Sequence, residues 1–156
     1  MPHDIAIRRA ALAESDAIAS LLRRVMKTCL PYLPDLHTPA EDRAFVRERM
    51  FARCAVWVAA GPASIRTGDA ALHGFCAFRE DWVDQLYVDP ALHRRGLGAR
   101  LLAEAKAAHP RLQLWVFQRN LPAIAFYEAQ GFRLVRRTDG HDNEEREPDA
   151  LYAWER

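Results

Sequence analysis

The stretch from Trp82 to His109 constrains the fold more than any other part of the chain. A run rich in β-branched and aromatic residues, Trp82-Val83-Asp84-Gln85-Leu86-Tyr87-Val88, passes through Asp89-Pro90-Ala91-Leu92-His93-Arg94-Arg95 into Gly96-Leu97-Gly98-Ala99. A helical pattern follows to His109, with Leu97, Leu101, Leu102 and Ala105 on one side, and Pro110 ends it. A strand that feeds a helix through two glycines must curl its backbone tightly, and the first N–H groups of the helix then point outward without an intrahelical acceptor. Arg94 and Arg95 add positive charge there, and the helix dipole adds typically ~0.3–1 kcal/mol for a nearby anion. The segment reads as an anion socket with phosphate as its guest. Two nucleotide fingerprints fail: the third glycine of a dinucleotide turn would stand at position 101, which is Leu, and a Walker loop would need Lys-Ser/Thr where the chain has Ala99-Arg100. A tight β-to-α turn with no ligand is the plainer reading of the same glycines.

The remaining pattern fits around this unit. Ile5 to Arg8 reads as a short strand. From Ser15, Ile18, Leu21, Leu22 and Val25 mark an amphipathic helix that stops before Pro31. Leu30-Pro31-Tyr32-Leu33-Pro34-Asp35-Leu36 is too proline-rich for a helix and too apolar for an idle loop, so it is a lid or a substrate wall. Thr38-Pro39-Ala40-Glu41 forms a capping box for a second helix running to about Phe51. Strands at Ala55–Ala60, His73–Arg79 and Trp82–Val88 look like a meander. Leu112–Phe117 is a strand, Leu121–Gln130 a helix closed by Gly131, and Phe132–Arg136 a strand able to pair with Leu151–Trp154. The order β-α-α-β-β-β-α-β-α-β-β predicts an α/β fold with a single mixed, mostly antiparallel sheet flanked by helices, one domain over residues 1–156.

Half of the 156 residues are hydrophobic and 28% are charged, which excludes dominant disorder. A chain of this size hides roughly 68–70% of its unfolded surface and needs no disulfide or structural metal. A net charge of +1 excludes bulk nucleic-acid or anionic-membrane binding, so any anion must be held locally. Cys29, Cys54 and Cys76 fit neither a disulfide framework nor a zinc site and are expected to be small buried side chains in a reducing, cytoplasmic setting. His73, His93, His109 and His141 lack metal-ligand spacing, so no metal is expected. Met1 to Arg9 holds no signal-peptide core, and no apolar run approaches the ~20 residues that span a bilayer.

A second constellation is Asn120-Leu121-Pro122-Ala123-Ile124-Ala125-Phe126-Tyr127-Glu128-Ala129-Gln130-Gly131-Phe132. Asn120 suits an N-cap, Pro122 a first turn and Gly131 a C-terminal cap. Tyr127 is either core packing or a proton donor. Together with Gly96-Leu97-Gly98, this segment resembles the GNAT superfamily of N-acetyltransferases, whose signatures are Gln/Arg-x-x-Gly-x-Gly/Ala after a strand and Asn-x-x-Ala-x-x-Phe-Tyr-x-x-x-Gly-Phe downstream. The order of elements is similar over nearly the whole chain. His93 stands where the family usually has Gln or Arg.

The resemblance implies acetyl-CoA as co-substrate, lying in a splay between the strand ending at Val88 and the strand Leu112–Phe117. Its pantetheine arm would pair with the backbone of Leu86, Tyr87 and Val88, and its pyrophosphate would sit on Arg94, Arg95, Gly96, Leu97, Gly98 and Ala99. Valine at position 98 is expected to crowd that pyrophosphate. Asn120 would contact the cofactor arm, and Tyr127 would protonate the departing thiolate. The acetyl group would go to a primary amine, on a small molecule or a peptide, by direct attack in a ternary complex formed by a monomer or homodimer. Trp82, Asp84, Leu86 and Val88 are expected on one strand face, with Asp84 the first candidate base and Glu80 the second; Asp84 equally fits a partner for a nearby arginine. Tyr32, His37, Trp82 and Trp115 are the candidate acceptor-side residues. A rival reading is a non-catalytic acyl-CoA-binding sensor. The tract Asp139–Asp149 carries six carboxylates against one arginine, either a solvated loop or a field that attracts a cationic acceptor.

Overall fold

A computed structural model describes residues 4–156. The elements are β1 (Ala6–Arg9), α1 (Ser15–Cys29), α2 (Pro39–Phe45), a π-helical stretch (Val46–Met50) continuing into α3 (Phe51–Arg53), and β2 (Ala55–Ala63). Then come β3 (Ala70–Arg79), β4 (Trp82–Val88), α4 (Leu97–Ala108), β5 (Arg111–Phe117), α5 (Leu121–Ala129), β6 (Arg133–Arg137) and β7 (Asp149–Glu155). The seven strands form one sheet in the order β1-β2-β3-β4-β5-β7-β6, antiparallel except where β4 meets β5. The expected fold class and order of elements are those observed.

Helices cover both faces of the meander, which is why β3 reads as a continuous apolar run rather than an alternating one. Phe75 and Ala77 face α1 and the π-helical stretch, packed with Ile18, Leu21, Leu22, Val46 and Met50. Cys76 and Phe78 face α4, packed with Leu97, Leu101, Leu102 and Ala105. The capping box forms as expected: Thr38 Oγ1 accepts from the Glu41 N–H at 3.1 Å, and Glu41 Oε1 accepts from the Thr38 N–H at 3.0 Å. Such a cap typically contributes about 1 kcal/mol.

One register feature overturns an expectation. Ala77 pairs with Gln85 and Phe78 with Val83, so Asp84 is an extra residue in β4 without an opposite number on β3. A bulge of this kind reverses the in-and-out parity of the strand. Val83 therefore shares the α4-side core with Leu86 and Val88, while Tyr87 faces the α1 side. The expected alternation of Trp82, Asp84, Leu86 and Val88 onto one face is broken at Asp84.

The bulge sits just where β4 leaves its other neighbour. β5 pairs with β7 from Arg111↔Glu155 to Phe117↔Asp149, but with β4 only at Trp82↔Gln113. That end is latched, since the Gln113 N–H donates to the Asp81 carbonyl at 2.6 Å and its side-chain amide to the Asp81 carboxylate at 3.0 Å. Beyond the latch the two parallel strands part. Leu101, fully buried over the strands that border this gap, tests the packing: Leu101→Ala should lower unfolding stability by about 2–5 kcal/mol in urea denaturation.

Candidate active site

Between β4 and β5 the sheet has an opening with a different environment on each face. The backbone of Leu86, Tyr87 and Val88 pairs with Cys76, Phe75 and Gly74 on one side, while its β5 side has no strand partner. Main-chain donors and acceptors left this way require a ligand or water. At the end of β4 the chain enters a 3-10 turn (Pro90–Leu92) capped by Asp89, whose side chain accepts from the Ala91 N–H and pairs with Arg24 at 2.9 Å. Arg94 (φ 65°) and Gly96 (φ 78°) then take left-handed conformations, and α4 starts with no side-chain cap. Its first bond is Arg100 N–H to the Gly96 carbonyl, so the donors before it face outward, which suits a pyrophosphate.

Two loop residues, His93 and Gly98, do something other than expected, whereas Asn120 takes the capping role expected of it. His93, in the place of the family's Gln or Arg, turns back onto the strand, its Nε2 lying 2.7 Å from the Val88 carbonyl. It braces the loop. A Cβ at Gly98 would lie 3.2 Å from the Phe126 ring on α5, so the position is small to let α4 and α5 meet and not simply to spare the pyrophosphate. Asn120 caps α5, its side-chain oxygen accepting from the Ala123 N–H at 3.4 Å, which leaves its amide NH₂ for another partner.

Tyr127 is buried, 8% exposed, with its ring edge-on to Phe126 and Phe132 at 5.3 and 5.6 Å between centroids. The turn after α5 holds it there: Gly131 adopts φ 92° and the Phe132 N–H returns to the Tyr127 carbonyl at 3.0 Å. Burial pushes its phenol well above the ordinary tyrosine range, and Cys76 and Tyr87 push it further. It stays a proton donor. Tyr87, across the sheet, is pushed up to about 12 by burial and by the charge of Glu145.

The α1-side face carries a cavity of about 420 Å³, lined by Trp115, Val116, Phe117, Arg136, Thr138, Asp142, Asn143, Glu145 and Asp149. Trp115 and Phe117 alternate with buried Leu114 and Val116, so they face the side that Tyr87 faces. The proline-rich segment crosses to the β6–β7 connection as a strap. Tyr32 lies beneath the Arg119 guanidinium, 4.0 Å from its ring centroid, and Arg119 binds Glu147 with two nitrogens at 3.0 Å. His37 Nε2 meets Glu144 at 2.7 Å. Of the acceptor-side candidates, Trp115 lines the cavity and Tyr32 and His37 build the strap. Trp82 does neither, because it stands at the latched end of β4.

Asp84 is occupied. Its Oδ2 accepts from Arg79 Nε at 2.7 Å and from the Cys54 thiol at 3.4 Å, which is the arginine partnership that competed with the base assignment. Glu80 is exposed in the β3–β4 turn at φ 47°. Both carboxylates lie toward the end of the hairpin away from the glycine loop. The cysteines also divide: Cys76 is buried as expected, Cys54 is intermediate and Cys29 is exposed. Arg119 and Asn143 escaped notice in the sequence, although Arg119 adjoins the Asn120 motif; Glu145 belongs to the acidic tract already expected to be either a solvated loop or a field for a cationic acceptor.

Residues 52–134 match the family profile described as an acetyltransferase (GNAT) domain. The chain belongs to the GNAT acetyltransferase family. It is an N-acetyltransferase that uses acetyl-CoA. It is 26% identical over 138 residues to the peptidyl-lysine N-acetyltransferase YjaB of Salmonella typhimurium, covering 88% of this chain and 90% of that protein. It is 43% identical over 68 residues to the peptidyl-lysine N-acetyltransferase YiaC of Escherichia coli, a match spanning 43% of this chain and 47% of that protein. The solution structure of the apo form of YjaB from Escherichia coli superposes with a TM-score of 0.73 at 25% identity, covering 96% of this chain and 97% of that one. Among the described residues, no helix is long and apolar enough to cross a membrane.

Three outcomes test the site. Tyr127→Phe should lower turnover roughly 10²-fold with little change in calorimetric CoA affinity. Because the phenol is held protonated, the wild-type kcat profile should show no descending limb from Tyr127 up to about pH 10, where an ordinary tyrosine ionises. Gly98→Val should weaken CoA by displacing Phe126 and the start of α4, and unchanged affinity in the folded variant would place the ligand elsewhere.

Proposed function

We propose that this acetyltransferase acts on the ε-amino group of lysine in a protein or peptide, in a ternary complex and without an acyl-enzyme. The observation that carries the reading is the opening in the sheet. On the α4–α5 face lie Tyr127 and the α4 start; on the other lies a cavity with Trp115 in its wall and carboxylates at its rim. A lysine side chain matches such a cavity, with a long apolar stem to lie along the wall beside Trp115, over whose ring the Arg136 guanidinium stands at 5.0 Å, and a cationic tip for the carboxylates. The peptidyl-lysine activity named for YjaB and YiaC supports the same acceptor class.

In this reading the Leu86–Val88 edge takes the pantetheine arm as an added strand, residues 94–99 take the pyrophosphate, and the Asn120 amide steadies the arm. Acetyl-CoA supplies an activated acetyl group. The protein aligns an amine from the opposite face with it, and Tyr127 supplies the proton the leaving sulfur needs. Alignment of two bound reactants can remove about 7–11 kcal/mol from the barrier to such a transfer. Cys54 and Cys76 are unsuited to acyl carriage: burial pushes the Cys54 thiol up to about 12 and Cys76 higher still, so neither is a thiolate at neutral pH. Three unpaired cysteines favour a reducing, cytoplasmic setting.

The deciding experiment follows thiol release with acetyl-CoA and a peptide that has one lysine and a blocked N-terminus, then locates the acetyl group by mass spectrometry. Acetylation at Nε is expected, with KM rising with ionic strength because exposed charges are screened over ~8–10 Å at physiological salt. Transfer only to free α-amino groups or small amines would overturn the lysine assignment. CoA binding without thiol release from any amine would favour the sensor.

A further inference from the structure

The connection between β6 and β7, with Asp149 at the start of β7, carries six carboxylates, and the structure disposes of them unequally. Asp139 accepts from the His141 N–H at 2.9 Å, and Glu144 meets His37. Glu147 is held by Arg119, and buried Asp149 accepts from the Thr138 hydroxyl and from the Asn143 amide at 3.2 Å. Asp142 is exposed. Glu145 is different: it is partly buried, lines the cavity, and its Oε2 is removed from solvent with no hydrogen-bond partner among the described residues. A buried carboxylate oxygen without a partner is costly to keep ionised, and an incoming ammonium would relieve that cost. The two oxygens exchange by rotation about a soft terminal torsion, so either can face the cavity.

We propose that Glu145 is the catalytic base, receiving the acceptor's ammonium in the cavity and taking the proton that must leave before its nitrogen can attack. The assignment rests on the lysine reading above and replaces Asp84, whose carboxylate Arg79 and Cys54 already occupy. Glu145 shares the cavity wall with Trp115, Val116 and Phe117 of β5, one of the two strands that border the opening. Tyr127 belongs to the core on the α4 side of the same sheet. Burial raises the Glu145 carboxyl above the usual range, and Glu144 and Asp149 raise it further against the opposing pull of its own backbone N–H and of His37. Tyr87 on β4 and Arg136 and Asp142 in the cavity wall complete the charged and titratable groups around it. A raised carboxyl narrows the uphill gap to an amine.

The step balances. The ammonium gives one proton to Glu145, the freed lone pair forms the bond to the acetyl carbonyl carbon, and the carbon–sulfur bond breaks with its electrons going to sulfur. Sulfur takes the Tyr127 hydroxyl proton, and the phenolate regains one from the nitrogen as it becomes an amide. Glu145 passes its proton to solvent, so one proton leaves per turnover.

The test uses the whole chain with acetyl-CoA and the single-lysine peptide. Wild-type transfer is measured first, so its absence would count against the lysine reading and not against Glu145. Glu145→Gln should lower kcat/KM by roughly 10²-fold at neutral pH while calorimetric CoA affinity holds. The deficit should shrink as pH rises toward about 10.4, where free lysine is neutral and needs no base. If Glu145→Gln loses CoA affinity through misfolding, Glu145→Asp takes its place and must show a smaller deficit with the same recovery. A purely structural role would give a deficit that does not change with pH. That result, full activity in the folded Gln variant, or a pH-recoverable deficit in Asp84→Asn instead, would overturn the proposal.

Discussion

Everything distinctive about this molecule follows from two parallel strands that touch once and then separate. β4 and β5 share a single pair, Trp82↔Gln113, and past it each has main-chain groups facing a gap. Main-chain polar groups in a sheet interior are rarely left unpaired because each orphan costs as much as a lost hydrogen bond. A sheet can carry such a gap only where something else fills it, and an extended polyamide arm offers the required spacing of donors and acceptors. The separation has local causes on both sides. The Asp84 bulge changes the course of β4, while β7 holds β5 in full register along its other edge.

In the proposed arrangement that gap also keeps the two partners from competing for space. The α4–α5 face presents backbone donors and a buried phenol, which suit a phosphate-bearing thioester. The opposite face offers an aromatic wall and carboxylates, which suit a cation. A net charge of +1 conceals this division, because the loop proposed for the pyrophosphate works through N–H groups and helix geometry and adds only Arg94 and Arg95 in formal charge. The strap from α1 to α2 closes the cation side with Tyr32 under Arg119 and His37 on Glu144. Exposed ion pairs of this sort stabilise a fold weakly, typically by 0–1 kcal/mol, so the strap is positioned at little energetic depth.

The glycine loop and the Asn120–Phe132 helix were legible because each depends on a local rule: Gly96 at positive φ, Asn120 capping the next turn, Gly131 ending it. The capping box at Thr38 was legible for the same reason. The face assignment of β4 was not, since a bulge is a relation between two strands and leaves no mark on the bulged one; Asp84 alternates correctly in sequence and only its missing partner on β3 shows otherwise. The small residue at position 98 was assigned to the ligand although it also serves Phe126, because one strand–loop–helix unit says nothing of the helix packed beside it. The acidic tract was visible as composition, but whether a carboxylate is free depends on Arg119, His37 and Thr138, which lie outside the tract or at its edge.

The loop that carries these carboxylates is shaped by backbone contact more than by charge. Gly140 has φ 83°, and a Cβ there would fall 2.4 Å from the Glu147 carbonyl carbon, a distance no side chain tolerates. Asn143 spans the same turn, donating to the Glu147 carbonyl at 2.7 Å while its own oxygen accepts from the Glu147 N–H at 3.2 Å. These contacts fix where residues 144 and 145 stand before any charge is considered. With the turn fixed, Glu144 faces the strap and Glu145 the cavity, so the unpartnered carboxylate oxygen is a consequence of a glycine and of an asparagine that itself lines the cavity. A loop set only by its charges would splay to relieve repulsion among six carboxylates. This one is closed by neutral hydrogen bonds as well as by Arg119 and His37, and one carboxylate oxygen stays buried and unpartnered in the cavity wall.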